Sequence, residues 1–418
     1  MSGVAGLRGS GSGDLGTDQR PKNFRDMLLM VGPAGVAPVF ALTSRASTKS
    51  VDDPEFNWWD EPQGHVRLLV NGALGTGDTT ITVDSADPTA TTMTAQYGTA
   101  THLKPGDLLY VETGEVAAFS NERIEVTSVI SDTQFTAKRG VAGTTAAAIS
   151  DNDLLTLVGS AFAEGTGAPD AVSRNPIKFQ NFTQIFKDTY ELTGTLDKTR
   201  LRTGDEWSND KRRKTFDHSR GIEMALLFGK KNESTGANGK PLRYMGGLRS
   251  FIPTAAPSAG GRTRIYAAAV TVFNLIDDIS PCFDYASPGG DTRIAFCGNQ
   301  ALIELNKIVQ ADANSEIQYG GIVKVFGMDF RELMMPQGRL LIKTHPLMSL
   351  HAVFKQSMFI IDFSVLKYVF LRGRDTKAKD DVQNPDEDLR RGFYQTECSL
   401  MVDFGGLTCG YLGNISQT

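Results

Sequence analysis

The hydrophobic and polar positions of the chain follow two different periods in different stretches. The longest stretch with a helical period runs over residues 203–231 without a proline. Thr203, followed three residues later by Glu206, forms a capping-box pattern at its start. Lys230 and Lys231 lie at its end, where they complement the helix dipole. The pattern predicts one helix about 40 Å long, with a polar first half and an apolar second half.

Residues 67–158 instead have the two-residue period of β-strands and are rich in Thr, Val, Gly and Ala. At least five strands are predicted there, in Thr79–Asp84, Leu103–Val111, Arg123–Ile130, Gln134–Lys138 and Leu154–Val158. The alternation in Arg123–Ile130 changes phase part-way, which is typical of a β-bulge. Because turn residues recur between these short strands, the pattern predicts a small all-β barrel or sandwich.

The chain after residue 231 mixes strand and helix patterns, which predicts an α+β arrangement. Helices are predicted over Val270–Ile279 and Asn299–Gln310. Strands are predicted at Arg293–Cys297, Gly321–Phe330, Arg339–Lys343, Phe359–Phe363, Lys367–Leu371 and Tyr394–Val402. Asn232–Pro241 is predicted as a polar loop, and Arg372–Arg391 as a mixed-charge loop. Earlier in the chain, the period of Phe179–Phe186 leaves strand and short helix open.

Composition limits the class of protein. The chain has 418 residues, enough for about three domains, and its 43 basic and 48 acidic side chains give a net charge of −5. That mild acidity disfavours a protein that coats nucleic acid by charge, and the 40% of hydrophobic residues exclude wholesale disorder. No apolar run is long enough to span a bilayer, and the first residues lack a signal-peptide core. We therefore expect a soluble protein made in a reducing compartment, without a membrane partner.

No catalytic, cofactor-binding or metal site is recognisable in the sequence. The histidines lack metal-ligand spacing and the cysteines form no C-x-x-C pair, so surface or satisfied histidines and buried thiols are expected. These residues are His65, His102, His218, His345, His351, Cys282, Cys297, Cys398 and Cys409. The glycine loop before Lys240 lacks the phosphate-loop pattern, and a G-x-S-x-G elbow is absent. Neither an enzyme nor a cofactor is therefore predicted.

The predicted long helix carries a basic run, Lys211–Lys214. This run could contact nucleic acid or the acidic surface of a neighbouring subunit. Asp210 and Asp217 dilute its charge, so a solvated helix face or a subunit contact is favoured over a nucleic-acid site. The acidic pairs Asp52–Asp53 and Asp277–Asp278 are interpreted as solvated charge, because adjacent side chains on a strand point apart.

Short motifs in a fixed order give the chain a resemblance to a known family. They are Gly77–Asp84, Pro105–Leu108, Val126–Val129, Thr133–Gly140, Gly143–Ala146, Val158–Gly165, Gln180–Gln184, Tyr190–Thr195, Ala225–Gly229, Met245–Leu248, Phe326–Phe330, His345–Pro346, Leu371–Gly373 and Tyr394–Leu400. In this order they resemble the major capsid proteins of tailed bacteriophages, with the Hong-Kong-97-type fold. Within that group they resemble a family with a β domain inserted in the extended loop. The resemblance covers about residues 55–415.

The resemblance implies an α+β capsid subunit with five parts. These are an N-terminal arm (1–60), an extended loop (61–66 and 159–200), an inserted β-barrel or sandwich domain (67–158), a peripheral domain with a spine helix (201–260 and 346–418) and an axial domain (261–345). It implies a major head protein that assembles itself into hexamers and pentamers of an icosahedral shell around double-stranded DNA, without sequence-specific binding. Portal, scaffolding and decoration proteins are implied as partners. The implied location is the virion, after assembly in the host cytoplasm.

Two other classes of protein stay open at this point. A tail or decoration protein would bind through the β domain and would form trimers or rings rather than closed shells. A carbohydrate-active protein with a β accessory module would need a pair of acids in a cleft, and the sequence offers no recognisable pair.

Glycine is frequent, with 43 residues or about one in ten. Many lie in Gly9–Gly16, in the turns of the predicted β domain, in Gly229–Gly247 and in Gly405–Gly413. Because glycine permits bending, we expect these loops to differ most between copies of the subunit in one shell.

Overall fold

The structure is a computed structural model of the chain. It describes residues 47–61, 67–84, 99–112, 121–169, 171, 176–201, 204–254, 257, 261–311, 318–325 and 328–416. The predictions for the arm up to residue 46, for His65 and for the Thr203 cap lie outside the described residues.

The helices of the described residues are few and mostly short. They are α1 (Gly194–Lys198), α2 (Glu206–Phe228), α3 (Leu248–Phe251), α4 (Val272–Ile279), α5 (Asn299–Ala311) and α6 (Pro346–Leu350). The predicted helix 203–231 corresponds to α2, which is shorter at both ends. The carboxylate of Asp205 accepts the backbone N–H of Ser208 at 3.1 Å, so Asp205 caps the first turn.

Strands make up most of the regular structure in the described part of the chain. The first eleven are β1 (Thr48–Val51), β2 (Glu55–Asp60), β3 (Arg67–Leu69), β4 (Thr80–Thr82), β5 (Asp107–Glu112), β6 (Arg123–Ser131), β7 (Gln134–Lys138), β8 (Leu154–Ser160), β9 (Ile177–Phe182), β10 (Gln184–Thr193) and β11 (Asn232–Thr235). The others are β12 (Pro241–Tyr244), β13 (Thr263–Ile265), β14 (Thr292–Cys297), β15 (Gln318–Val325), β16 (Met328–Met335), β17 (Gly338–Thr344), β18 (Met358–Ile361), β19 (Leu366–Leu371), β20 (Lys377–Lys379), β21 (Leu389–Val402) and β22 (Gly410–Gly413).

The largest sheet has seven strands in the order β13–β22–β18–β14–β17–β16–β15. Its central strand β14 runs parallel to β17 and antiparallel to β18. Ile294 and Phe296 of β14 pack in one cluster with the buried side of α2. Ala295 and Cys297 pack in a second cluster with α4 and α5. Because both faces of the sheet are covered, its central strands have continuous apolar sequences.

The strands between Arg67 and Ser160 form a separate six-stranded sheet in the order β3–β8–β5–β6–β7–β4. The Asn71 N–H donates to Thr82 O at 2.9 Å and the Asp84 N–H donates to Leu69 O at 2.8 Å, so β3 and β4, at the two ends of this strand order, meet and close a barrel. Its interior is filled by Val70, Ile81, Leu109, Ile124, Phe135 and Leu155. The register of β6 against β7 shifts twice, which confirms the predicted bulge.

The chain divides into two compact units. Within the described residues, the smaller unit contains 187–218 and 377–395, and the larger unit contains the rest. Strand β10, helix α2 and strand β21 each run from one unit into the other. In the smaller unit, β20 pairs antiparallel with β21. In the larger unit, β1 pairs parallel with β19, and β19 pairs antiparallel with β21.

Three local predictions differ from the structure. The predicted strand Gly321–Phe330 consists of parts of β15 and β16, because two successive alternating strands have the same pattern as one long strand. The predicted loop Asn232–Pro241 contains the hairpin β11–β12, in whose turn Gly239 has a φ of +70°. Strand β21 begins inside the predicted loop Arg372–Arg391. It is buried on both sides from Thr396 onward, although its sequence alternates as if one side faced water.

Candidate functional site

The segment after α2 and the segment before α3 approach each other more closely than side chains would allow. The Gly229 N–H donates to Ala225 O at 2.9 Å, and the Gly247 N–H donates to Gly229 O at 2.9 Å. A Cβ atom on Gly247 would overlap Ala225 O, and one on Gly229 would lie 2.7 Å from Met245 O. Glycine is therefore required here for close packing.

One buried amide holds the passage from β9 to β10. The Nδ2 of Asn181 donates to Gly246 O at 3.0 Å and to Leu400 O at 2.7 Å. Its Oδ1 accepts the N–H groups of Phe182 at 2.9 Å and Gly246 at 2.8 Å. All four hydrogen-bonding positions of the amide are therefore used, which offsets the cost of burying it. The run Phe179–Phe186, whose period left strand and helix open, lies in the two strands that meet here.

A buried carboxylate lies beside this passage. Glu397 accepts the hydroxyl of Thr183 at 2.9 Å and forms an ion pair with Arg374. Ser399, two residues further along β21, donates its hydroxyl to Phe182 O at 2.7 Å. These bonds attach the junction of β9 and β10 to β21.

A second polar pair joins α2 to the residue that follows β17. The Nδ1 of His345 accepts the Met348 N–H at 3.3 Å, so Nε2 carries the ring proton and donates to Glu223 at 2.6 Å. Both side chains are fully buried. Loss of Glu223 would leave the buried Nε2–H group of His345 without its acceptor, which is destabilising. His345 is therefore a satisfied core histidine, as the sequence analysis expects.

The barrel contains a tightly bound ion pair. The carboxylate of Glu122 accepts the Nε and Nη2 atoms of Arg139 at 2.6 and 2.8 Å, and the N–H groups of Gly140 and Ala147 at 3.0 Å each. Burial favours a raised pKa for Glu122, but the hydrogen bonds from Arg139, Ala147 and Gly140 outweigh it and hold the pKa below its ordinary value. The pair ties the segment after β7 to the start of β6.

The smaller unit is organised around Tyr190. Its ring meets that of Trp207 edge-to-face with centroids 4.9 Å apart, and its hydroxyl donates to Asp380. Burial and the neighbouring Asp380 raise the pKa of Tyr190. Hydrogen bonds from Lys211 and Tyr190 hold the pKa of Asp380 below its ordinary value. Arg390 lies over the Trp207 ring at 4.2 Å.

Much of the charge in the basic run Lys211–Lys214 is paired within the chain. Lys211 Nζ lies 2.7 Å from Asp380, and an Arg213 nitrogen lies 2.8 Å from Glu206. Such pairs reduce the net field that the run presents to a partner. The structure therefore gives this run less free charge than the sequence pattern indicates.

All four cysteines are among the described residues, and each is a buried free thiol. Burial raises the pKa of Cys282, Cys297, Cys398 and Cys409 to about 12. The thiolate, which is the reactive form, is therefore suppressed, as the expectation of buried inert thiols requires.

A cavity of about 380 Å³ opens beside β9, next to the segments that follow α2 and end α3. Its lining residues are Lys178, Phe179, Gln180, Lys230, Lys231, Ser250 and Phe251. Three of these are lysines and none is acidic, so the cavity combines positive charge with aromatic surface. We call it the lysine cavity. The sequence pattern places Lys230 and Lys231 only at a helix end, because nothing in it brings Lys178 next to them.

Metal-ligand clusters and membrane-spanning helices are absent from the part of the chain that the structure describes. No cluster of three or more His, Cys, Asp or Glu side chains there is placed to hold a metal ion. None of the described helices has the length and apolar character to cross a membrane.

Comparison with known proteins decides the family. Residues 10–408 match the family described as SU10 major capsid protein. This chain belongs to that family. The match confirms the predicted phage major capsid protein and makes the chain a structural component of the virion capsid. The mixture of strands and helices in the described residues agrees with the predicted α+β class.

Individual relatives are also phage and particle capsid proteins. The major capsid protein of Pseudomonas phage PaMx41 is 27% identical over 363 residues, which cover 86% of this chain and 81% of that protein. Among solved structures, the capsid of a native GTA particle is 10% identical with a TM-score of 0.46, covering 98% of this chain and 100% of the other. The capsid of cyanophage A-1(L) is 10% identical with a TM-score of 0.46, covering 96% and 99%.

Proposed function

We propose that this capsid protein assembles with copies of itself, as hexamers and pentamers, into an icosahedral shell around the double-stranded DNA of a tailed phage. The observation that carries the proposal is the family match over residues 10–408, which leaves little of the chain for another activity. A net charge of −5 suits a container that encloses DNA without binding its sequence. In this proposal the protein is not an enzyme and acts through contacts between subunits.

We assign the parts of the subunit at the boundaries that the sequence predicts. They are the arm (1–60), the extended loop (61–66 and 159–200), the inserted β domain (67–158), the peripheral domain (201–260 and 346–418) and the axial domain (261–345). Two features support the inserted domain: the closed barrel has its own hydrophobic core, and its first strand pairs with its last, with Arg67 opposite Thr156. An insertion whose two ends lie side by side leaves its host structure intact.

We further propose portal and scaffolding proteins, and decoration proteins, as partners of the shell. Assembly in the host cytoplasm is part of the same proposal. Four buried thiols and the lack of disulfides agree with folding in a reducing compartment.

Electron microscopy of the purified protein tests the proposed assembly. Uniform icosahedral particles built of hexamers and pentamers are the expected result. Trimers or open rings in size-exclusion chromatography would contradict it and would favour a tail or decoration protein. Hydrolysis of any member of a glycan panel would contradict the non-enzymatic role.

Deletion of residues 67–158, with a short linker between Val66 and Gly159, tests the role of the barrel. Because β3 and β8 are adjacent, we expect the rest of the subunit to keep its circular-dichroism spectrum. We propose that the extended loop and the barrel it carries contact the adjacent subunit, so we expect few closed shells from the deletion variant. Normal shells from a folded deletion variant would contradict a role of the barrel in contacts between subunits.

A further inference from the structure

The lysine cavity carries positive charge that the described part of the chain does not neutralise. Lys231 Nζ donates to the backbone oxygen and the side-chain oxygen of Gln180 at 3.4 and 3.3 Å. These acceptors are uncharged, so they position the ammonium group without cancelling its charge. Among the described residues, no carboxylate lies within ion-pair distance of Lys178, Lys230 or Lys231.

The helix dipole of α2 is enough to explain the positions of Lys230 and Lys231, but it does not explain the position of Lys178. Lys230 and Lys231 follow the C-terminus of α2, where a cation favours the helix dipole. Lys178 comes from β9, so the dipole of α2 does not account for its place at the same cavity. Three ammonium groups from two segments, at a cavity that Phe179 and Phe251 also line, fit an anionic group that also brings apolar surface.

The chain itself contains a segment of complementary charge. Residues 386–388, Asp-Glu-Asp, are the only run of three consecutive carboxylates in the sequence. They lie in a turn in which the Glu387 N–H donates to Asn384 O at 3.2 Å, and Asp386 is exposed. Pro385 restricts the backbone of this turn, so binding would order it at low entropic cost. We call residues 384–388 the acidic turn.

We propose that the lysine cavity of one subunit binds the acidic turn of a second copy of this chain. This inference rests on the proposed function in one respect, which is that copies of the subunit contact each other in the assembly. Glu387 is half-buried and lies 3.6 Å from Arg391 of its own chain, so the exposed Asp386 and Asp388 supply most of the available negative charge of the turn. These carboxylates against three ammonium groups give charge complementarity that specifies a register between neighbours. Duplex DNA presents its phosphates on a convex surface, so a cavity with aromatic lining favours the protein turn over nucleic acid.

Zero-length cross-linking tests this contact directly. Particles are assembled from a mixture of unlabelled and ¹⁵N-labelled full-length protein and treated with a carbodiimide. The reagent takes up the water that is lost when a carboxylate and an amine condense to an amide. Mass spectrometry is expected to find heavy–light peptide pairs that join Lys178, Lys230 or Lys231 to Asp386, Glu387 or Asp388.

The outcomes of this experiment separate the two proposals. Wild-type protein that assembles without such heavy–light pairs overturns the docking and leaves the proposed function standing. Wild-type protein that stays monomeric contradicts both.

Charge reversal gives a second, independent test. We expect Lys231→Glu and Asp386→Lys each to lower the yield of assembled particles by about tenfold or more, because like charges then face each other. Combining the two reversals in one chain is expected to restore the yield to within about threefold. Lys240→Glu, which changes an exposed lysine in the β11–β12 turn, is the matched control and should leave the yield unchanged.

Two results of the charge-reversal series would overturn the docking. One is an unrestored yield in the double variant. The other is a lysine reversal that leaves assembly intact but lowers the DNA content of particles, which would assign the cavity to nucleic acid.

Discussion

Single buried polar residues fix the junctions of this subunit. Asn181 uses all four hydrogen-bonding positions of its amide, and His345 uses both ring nitrogens. Polar groups of this kind add modest net stability when paired, but are costly when one partner is lost. They therefore specify which backbone segments meet, whereas the apolar clusters supply most of the driving force.

Asn181→Ala is expected to lower the free energy of unfolding by about 3 kcal/mol, because it leaves backbone groups of three residues unpaired. Ser399→Ala removes a single buried hydrogen bond nearby and is expected to cost about 1 kcal/mol. Urea unfolding of the unassembled subunit measures both values. Equal losses for the two variants would mean that the amide network has no special role.

Glu122→Gln tests the ion pair of the barrel through its pH dependence. The pKa of Glu122 is held below its ordinary value, so the pair adds stability above the ordinary pKa of a glutamate, about 4.3. That stability is lost as the pH falls through the lower pKa of the folded state. We expect the variant barrel to be less stable than wild type by about 3 kcal/mol at neutral pH, with a difference that shrinks below about pH 4.

Hydrogen exchange in peptides from β6 and β7, corrected for the intrinsic effect of pH on exchange, measures that difference. Glu125→Gln provides a control on β6, because the Glu125 side chain takes part in no described ion pair. A wild-type and variant difference that stays constant from pH 7 to pH 3 would contradict the assignment.

At the scale of elements, the end of helix α2 matters most. Its apolar second half packs against the seven-stranded sheet, and the chain then turns back through Gly229 and Gly247. Because this second half of α2 is held against the sheet, its position depends on how closely the returning segment can approach. Gly229 and Gly247 thus help to determine where α2 lies against the sheet.

Gly247→Ala is expected to destabilise the subunit by about 2 kcal/mol or more, because its Cβ would overlap Ala225 O. Gly221→Ala is the matched control: it lies inside α2 with nothing within 4 Å of its added Cβ. That variant is expected to gain about 0.5–1 kcal/mol from helix propensity. Thermal unfolding of both variants distinguishes a packing requirement from a need for flexibility, since flexibility would make both substitutions harmful.

The elements themselves were largely predictable from sequence periodicity, and the junctions were not. The long helix, the bulged strand β6 and the buried strand β14 all have clear local patterns. The pattern could not divide β15 from β16 or mark β21 as buried on both faces, because burial there comes from distant segments. Asn181 and Lys178 likewise gave no sequence signal, since Gly246 and Leu400 lie far from Asn181 along the chain, as Lys230 and Lys231 do from Lys178.

Across the whole molecule, glycine has two opposite uses. In the packed positions Gly229, Gly247 and Gly410, an added Cβ would meet other atoms at less than 3 Å. In the open positions Gly77 and Gly143, nothing lies within 4 Å. The sequence alone led us to expect variation in all glycine-rich loops, but only the open positions leave room for the backbone to move.

The copies of the subunit in one assembled shell are therefore expected to differ more at Gly77, Gly143 and Gly239 than at Gly229 and Gly247. A cryo-electron microscopy map with several symmetry-independent copies gives the measurement, as the Cα deviation at each position after superposition of the seven-stranded sheet. Larger deviations at the packed glycines would contradict this division.

The four buried thiols can report local opening of the hydrophobic cores of the subunit. Cys398 and Cys409 lie in the core cluster under α2, and Cys282 and Cys297 lie in the cluster under α4 and α5. The barrel contains no cysteine. A small electrophile added to intact particles would therefore modify the cysteines only at the rate at which one of these two cores opens locally. The order in which the four thiols react would show which core opens first.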